Sequence, residues 1–352
     1  MMSHPYTQQP STAKWSRSVS RDWDPRKLIP ADTILLRKAD WIASLGSCFA
    51  ANIVPYLKES GLRYVVAEPR LPGFSNAPRD NFSYEKFSAA YGNVYTARQF
   101  RQLLDRAFGR FAPREDRWRG DGAVIDPFRP GLTFKAKSDD EFDALTAYHL
   151  SRVRLVFETA NVIIFTLGLT EAWYSKLDGA VFPACPGTVA GAFDPDKHAF
   201  YNFSVAEVVD DLIYICNTLR TIRADVRLIL TVSPVPLVAT ATAEHVLVAS
   251  TYSKAVLRVA CKEAESHFDF VTYFPSYEII SGPQAPWEFF EADRRNASWQ
   301  GIDQVMDVML SRCEVDVRST PISPVPAAPM SGAARLCALV GETECEEAAA
   351  DA

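Results

Sequence analysis

Ser47 and Cys48 stand side by side in the run Gly46-Ser47-Cys48-Phe49-Ala50, directly after the apolar stretch Trp41-Ile-Ala-Ser-Leu45 and directly before a helical pattern. A hydroxyl and a thiol at a strand-to-helix corner are the groups nucleophilic catalysis uses. Gly46 permits the tight turn. The first free N–H groups of the following helix carry partial positive charge, which suits a thiolate or a developing oxyanion. A cysteine so placed tends toward a lowered pKa and higher reactivity. Each residue also has a plainer reading: Ser47 as an N-cap, Cys48 as a buried thiol at a strand end.

Two further apolar runs end in the same manner. Val162–Leu167 leads into Gly168-Leu169-Thr170-Glu171, and Leu228–Val232 leads into Ser233-Pro234-Val235-Pro236. Short runs and amphipathic stretches alternate along the chain. Ile42–Leu45 is followed by a helical pattern over 49–60, Tyr64–Ala67 by 96–109, Val162–Leu167 by 204–223, and Leu228–Val232 by 247–266. Phe268–Phe274 and a last helical pattern near 300–313 close the series. Strands alternating with helices predict an α/β fold with a mostly parallel sheet and helices on both faces. In such sheets ligands bind beyond the carboxyl ends of the strands, so the three motif turns share one rim, which becomes a pocket. Pro55 falls inside the helix expected at 49–60 and predicts a later start or a kink there.

Prolines at 5, 10, 25 and 30 make residues 1–38 an irregular arm, with Trp15 and Trp23 as its expected anchors. One folded unit spans 39–316, and a Pro-, Ala- and Glu-rich tail expected to be disordered covers 317–352. The 352 residues are 48% apolar and 23% charged, enough for a large core. A net charge of −6 gives no electrostatic reason to bind nucleic acid or an anionic membrane. No apolar stretch is long enough for a membrane span and no secretory leader pattern opens the chain, so a cytoplasmic location is expected. Seven cysteines with no CxxC pair argue against a zinc knuckle or a disulfide framework.

Five segments together resemble the GSCFA domain family, a branch related to the SGNH (GDSL-type) esterases and lipases. They are Leu45-Gly-Ser-Cys-Phe-Ala50, Tyr91-Gly-Asn-Val-Tyr-Thr-Ala-Arg-Gln99, Phe165-Thr-Leu-Gly-Leu-Thr-Glu-Ala-Trp173, Thr231-Val-Ser-Pro-Val235 and Tyr273-Phe-Pro-Ser-Tyr-Glu278. The resemblance implies a three-layer α/β/α, flavodoxin-like fold and, by relation, acyl-ester chemistry. Matching Gly46 to the family glycine puts Cys48 where the esterase serine sits, with Ser47 in the aspartate position. Both remain candidate nucleophiles. The resemblance brings Gly92 or Asn93, and Gly168 with Thr170, toward the anionic oxygen. Phe289-Phe-Glu-Ala-Asp293-Arg-Arg-Asn296-Ala-Ser298 lines up with the late Asp-x-x-His. Asp293 is kept and Asn296 replaces the histidine, so the usual general base is missing.

Another histidine is then the natural base, and His245, following the Ser233–Pro236 turn, is the first choice among positions 4, 149, 198, 245 and 267. Glu171 and Trp173 line the pocket, or the Glu171 carboxylate pairs with Arg98, which sits at the flank of a helix. Lys254 and Arg258, four apart, read as a solvated pair or a contact for a phosphate-bearing carrier. The resulting expectation is an acyl-ester hydrolase or acyltransferase acting on a polar, small-molecule or saccharide ester. It needs no metal or dissociable cofactor; a transferase would draw on an acyl-coenzyme A donor. The rival expectation is a catalytically silent ligand- or partner-binding module on the same fold.

Overall fold

The strands at the centre have no solvent face. All six residues of Val162–Leu167 are buried, and so are five of six in both Trp41–Gly46 and Arg227–Val232. Continuous apolar runs of this kind belong in parallel sheets covered on both sides. In the computed structural model, the described residues are 4–69, 86–120, 122–132 and 135–315; the tail expected at 317–352 lies outside them.

In chain order the first half contains α1 (Trp15–Ser18), β1 (Trp41–Gly46), α2 (Cys48–Glu59), β2 (Arg63–Tyr64), α3 (Ala97–Ala107), β3 (Trp118–Gly120), β4 (Ala123–Ile125) and α4 (Asp139–Thr159). The second half contains β5 (Val162–Leu167), β6 (Glu171–Ser175), β7 (Val181–Phe182), β8 (His198–Asn202), α5 (Val205–Ile222), β9 (Arg227–Val232), α6 (Val246–His267), β10 (Val271–Tyr273), α7 (Ser276–Ser281) and α8 (Trp299–Leu310). The central sheet has the order β10-β9-β5-β1-β2, and every pairing in it is parallel. The chain leaves β1 for the edge strand β2 and then crosses to β5 on the other side of β1. The β1–β5 junction is therefore the topological switch point of a flavodoxin-like sheet.

Alternate residues feed two cores. Ala43, Leu45, Ile163, Phe165, Leu228 and Leu230 face Phe100, Phe157, Leu212 and Leu257 from α3 to α6. Ile42, Val162, Ile164 and Ile229 face Phe49, Ile53, Leu57, Ile279 and Val305 from α2, α7 and α8. These are the three layers expected.

Several local expectations change. Helix α2 starts at Cys48 and runs through Pro55, which lies on its exposed side, so neither a late start nor a break is needed. The second strand closes at Tyr64, short of the expected Ala67. Helix α4, 21 residues long, was absent from the sequence reading because its buried positions are few: Phe142, His149, Val153, Val156 and Phe157. Its signals are the Ser138 cap on the Glu141 N–H and three acidic residues in the first turn. The stretch between β5 and α5 forms a three-stranded antiparallel sheet, β7-β6-β8. In the arm, Trp15 is 62% exposed and anchors nothing. Ile29, Leu35 and Leu36 do so instead, buried against the α2–α8 core, aided by the Arg26–Asp307 ion pair at 2.7 Å. Among the described residues no helix is long and apolar enough to cross a membrane.

Candidate functional site

At the switch point two strand ends are pressed together by glycine. Gly46 has a φ of +145°, and a Cβ there would stand 2.5 Å from the Thr166 carbonyl oxygen. A Cβ on Gly168 would stand 3.1 Å from both Ser47 Cβ and Tyr95 Cδ1. A side chain is thus excluded at Gly46 by its neighbour and by backbone conformation, and is tightly crowded at Gly168 by its neighbours alone. The segment 91–95 laces the ends together: the Val94 N–H donates to Gly46 O at 2.8 Å, and the Gly168 N–H to Tyr95 O at 2.8 Å. Gly92 and Asn93 lie buried in this segment.

Ser47 occupies the N-cap position of α2, yet its side chain makes no capping bond. The residue is 2% exposed, and Oγ is buried without a hydrogen-bond partner, as is Thr166 Oγ1 on the adjoining strand. A buried unpaired hydroxyl costs on the order of 1–3 kcal/mol. Cys48, the first residue of α2, is partly exposed and packs beside Tyr95, Leu169, Leu237, Ala249 and Val246. The corner therefore seals its hydroxyl and leaves its thiol partly open to solvent.

His245 immediately precedes Val246, which packs on the same apolar cluster as Cys48. The imidazole is exposed and caps α6, with Nδ1 accepting from the Leu247 N–H at 3.2 Å. The neutral ring accordingly carries its proton on Nε2. Glu171 reaches the same connection: its carboxylate accepts from Thr240 Oγ1 at 2.6 Å and the Ala241 N–H at 3.2 Å. Burial raises the Glu171 pKa above its ordinary value. Glu171 thus bonds to the connection that leads into α6 and His245 belongs to it, and Leu237 and Val246 near its two ends share an apolar cluster with Cys48.

Other expected residues are spent on the fold. Thr170 is fully buried; its N–H donates to Ser253 Oγ at 3.0 Å and its hydroxyl to Asn202 Oδ1 at 2.7 Å. With the Gly168 N–H held by Tyr95, neither residue offers a spare donor to the rim. Asp293 is exposed and accepts from the N–H groups of Arg295 and Asn296 and from Asn296 Nδ2 at 2.6 Å. It closes a turn on the residue that replaced the expected histidine. Arg98 pairs with Asp211 at 2.8 Å and lies at the flank as anticipated.

The solvated reading of Lys254 and Arg258 is overturned. Lys254 is 4% exposed, and its Nζ donates to the Gly168 carbonyl behind Ser47. Arg258 pairs with Glu278 at 2.8 Å. The inward stripe Ser250, Lys254, Leu257, Cys261 was visible in the spacing of the sequence. Also unforeseen was His149, fully enclosed, with Nδ1 2.7 Å from Glu68 Oε2. His198, the other buried histidine, is held by Glu115 at 2.9 Å, within the antiparallel insertion.

A model of the GSCFA family matches residues 41–309. No match was found among curated proteins.

Proposed function

The chain belongs to the GSCFA family, and from that premise we propose that the β1–β5 rim carries acyl-transfer chemistry in the cytoplasm, with Cys48 as nucleophile. The observation that carries this reading is the division of labour at the corner. The thiol is partly exposed at the start of α2, whereas the neighbouring hydroxyl is sealed. A thiol at a helix N-terminus ionises more readily than one in an apolar interior. Burial pushes the Cys216 thiol up to about 12 and Cys261 higher still, so those two are inert.

The reaction proceeds in two balanced steps. Cys48 releases its proton to solvent, and the thiolate adds to the carbonyl carbon of an ester; the alcohol leaves with a proton, giving an S-acyl enzyme. Water, or an acceptor hydroxyl in a transferase, then displaces the sulfur and regenerates the thiol. The Ala50 N–H is taken by the Ser47 carbonyl at 2.8 Å, which leaves the Phe49 amide, uncapped by the Ser47 side chain, as a donor to the carbonyl oxygen. Exposed Leu247 and Val248 on α6, next to the Cys48 cluster, offer apolar surface to the acyl group. We propose a polar or saccharide alcohol as the leaving group, and coenzyme A thioesters as the donors for a transferase.

The silent-module reading draws support from the Asp293–Asn296 turn, which holds no proton acceptor at the family histidine position. Turnover of an ester and thioester panel separates the two. The enzyme reading predicts hydrolysis that is lost in Cys48→Ala and kept in Ser47→Ala. Absence of turnover with every ester and thioester favours the module.

A further inference from the structure

Segment 91–95 also borders a small cavity, lined in part by Tyr91, Asn93, Gln99, Arg106, Arg129 and His149. We propose that it binds a small molecule through a phosphoryl or carboxylate group, with the Arg106 guanidinium as the anchoring cation.

Arg106 is 8% exposed, on the inward side of α3, and its Nε is buried without a hydrogen-bond partner. The guanidinium carbon stands 3.9 Å from the centroid of the Phe128 ring. A guanidinium over a ring face keeps its N–H edge available to grip two oxygens of one anion, and the unpaired Nε–H belongs to that edge.

The charges around Arg106 are already committed to each other. Arg129 Nε donates to Asp126 Oδ2 at 2.7 Å, and Asp126 Oδ1 also accepts from the Phe128 N–H at 2.9 Å. Glu68 accepts from the Ala90 N–H at 2.8 Å and lies against His149 Nδ1. Two arginines and two carboxylates thus share the cluster, but both carboxylates are bonded elsewhere. Burial lowers the Arg106 pKa to about 10, so the group is still charged near neutral pH. A buried cation without a hydrogen-bonded partner is costly. An incoming oxyanion supplies the missing acceptors.

His149 narrows the ligand. Burial and the Arg129 charge push its pKa below the ordinary value, so the ring is neutral, with its proton on Nδ1 toward Glu68. Its Nε2 is then an acceptor, suited to a P–OH or a hydroxyl beside a carboxylate. The cavity stands on its own whether or not Cys48 is the nucleophile.

Thermal unfolding of the full chain with inorganic phosphate and, separately, acetate, each against chloride at matched ionic strength, tests the proposal. Phosphate, acetate or both should raise the melting temperature saturably, by roughly 5 °C at a hundredfold excess over the dissociation constant. The arm that responds identifies the group. The rise should vanish in Arg106→Met and fall at least tenfold in apparent affinity in Arg106→Lys, which keeps the charge and loses the fork. No saturable rise with either anion overturns the site. So does a rise that either variant retains at full affinity.

Discussion

The rim and the charged cluster both adjoin segment 91–95 and are held by opposite means. At the rim, backbone meets backbone: Gly46 against Thr166, Gly168 against Ser47 and Tyr95. The hydroxyls there contribute no bonds, and Ser47 Oγ and Thr166 Oγ1 are left unpaired. In the cluster, Glu68, Asp126, Arg129 and His149 hold one another by charge and hydrogen bonds, and Arg106 joins them through the Asp126 charge with its Nε unpaired. The rim should therefore fail when atoms are added and tolerate their loss. The cluster should fail when one charge is removed.

The largest effect expected is at the rim. Gly46→Ala forces a side chain into a left-handed backbone and into the Thr166 carbonyl, and should cost roughly 4–6 kcal/mol in denaturant unfolding. A loss under about 1 kcal/mol would mean the strand ends are not as close as described. Next comes Asp126→Asn, which strips Arg129 of its 2.7 Å partner and should cost about 3–5 kcal/mol. If the cost were negligible, the cluster would not be held by pairing.

A smaller effect is the pH dependence. Burial first, and the Arg129 charge second, lower the His149 pKa from 6.5. The unfolded chain then takes up a proton at a higher pH than the folded chain does. This stabilisation is fully present above pH 6.5 and is lost as pH falls below it, with a slope of up to about 1.4 kcal/mol per pH unit. Urea midpoints at pH 7.5 and 5.5 should diverge less in His149→Gln than in the native chain; equal divergence would remove the imidazole from the account. The smallest effect belongs to Ser47→Ala. Deleting an unpaired buried hydroxyl should leave stability within about 1 kcal/mol or raise it, and a clear loss would reveal a bond at Oγ.

Much of this arrangement was legible before any coordinates. The runs 42–45, 162–167 and 228–232 declared themselves because strands buried on both faces have few polar residues, and their turn-forming ends located the rim. What escaped was information carried by pairing rather than pattern. Helix α4 shows no continuous apolar stripe because it buries His149 among apolar residues, and Glu68 reaches that histidine from 81 residues away. The roles expected for Thr170 and Asp293 followed from the family resemblance. Their partners, Asn202 with Ser253 and the Asn296 turn, are set by tertiary contacts. Lys254 was misread because a charged residue usually marks a solvated face, even though its spacing matched the inward one.

The central claim, that Cys48 rather than Ser47 takes up an acyl group, is tested most directly by brief exposure of the protein to excess p-nitrophenyl acetate, acid quench and peptide mass spectrometry. The account predicts one acetyl group on the Cys48 peptide, labile to neutral hydroxylamine as a thioester is. An acetyl group on Ser47, or none on either residue, would contradict it.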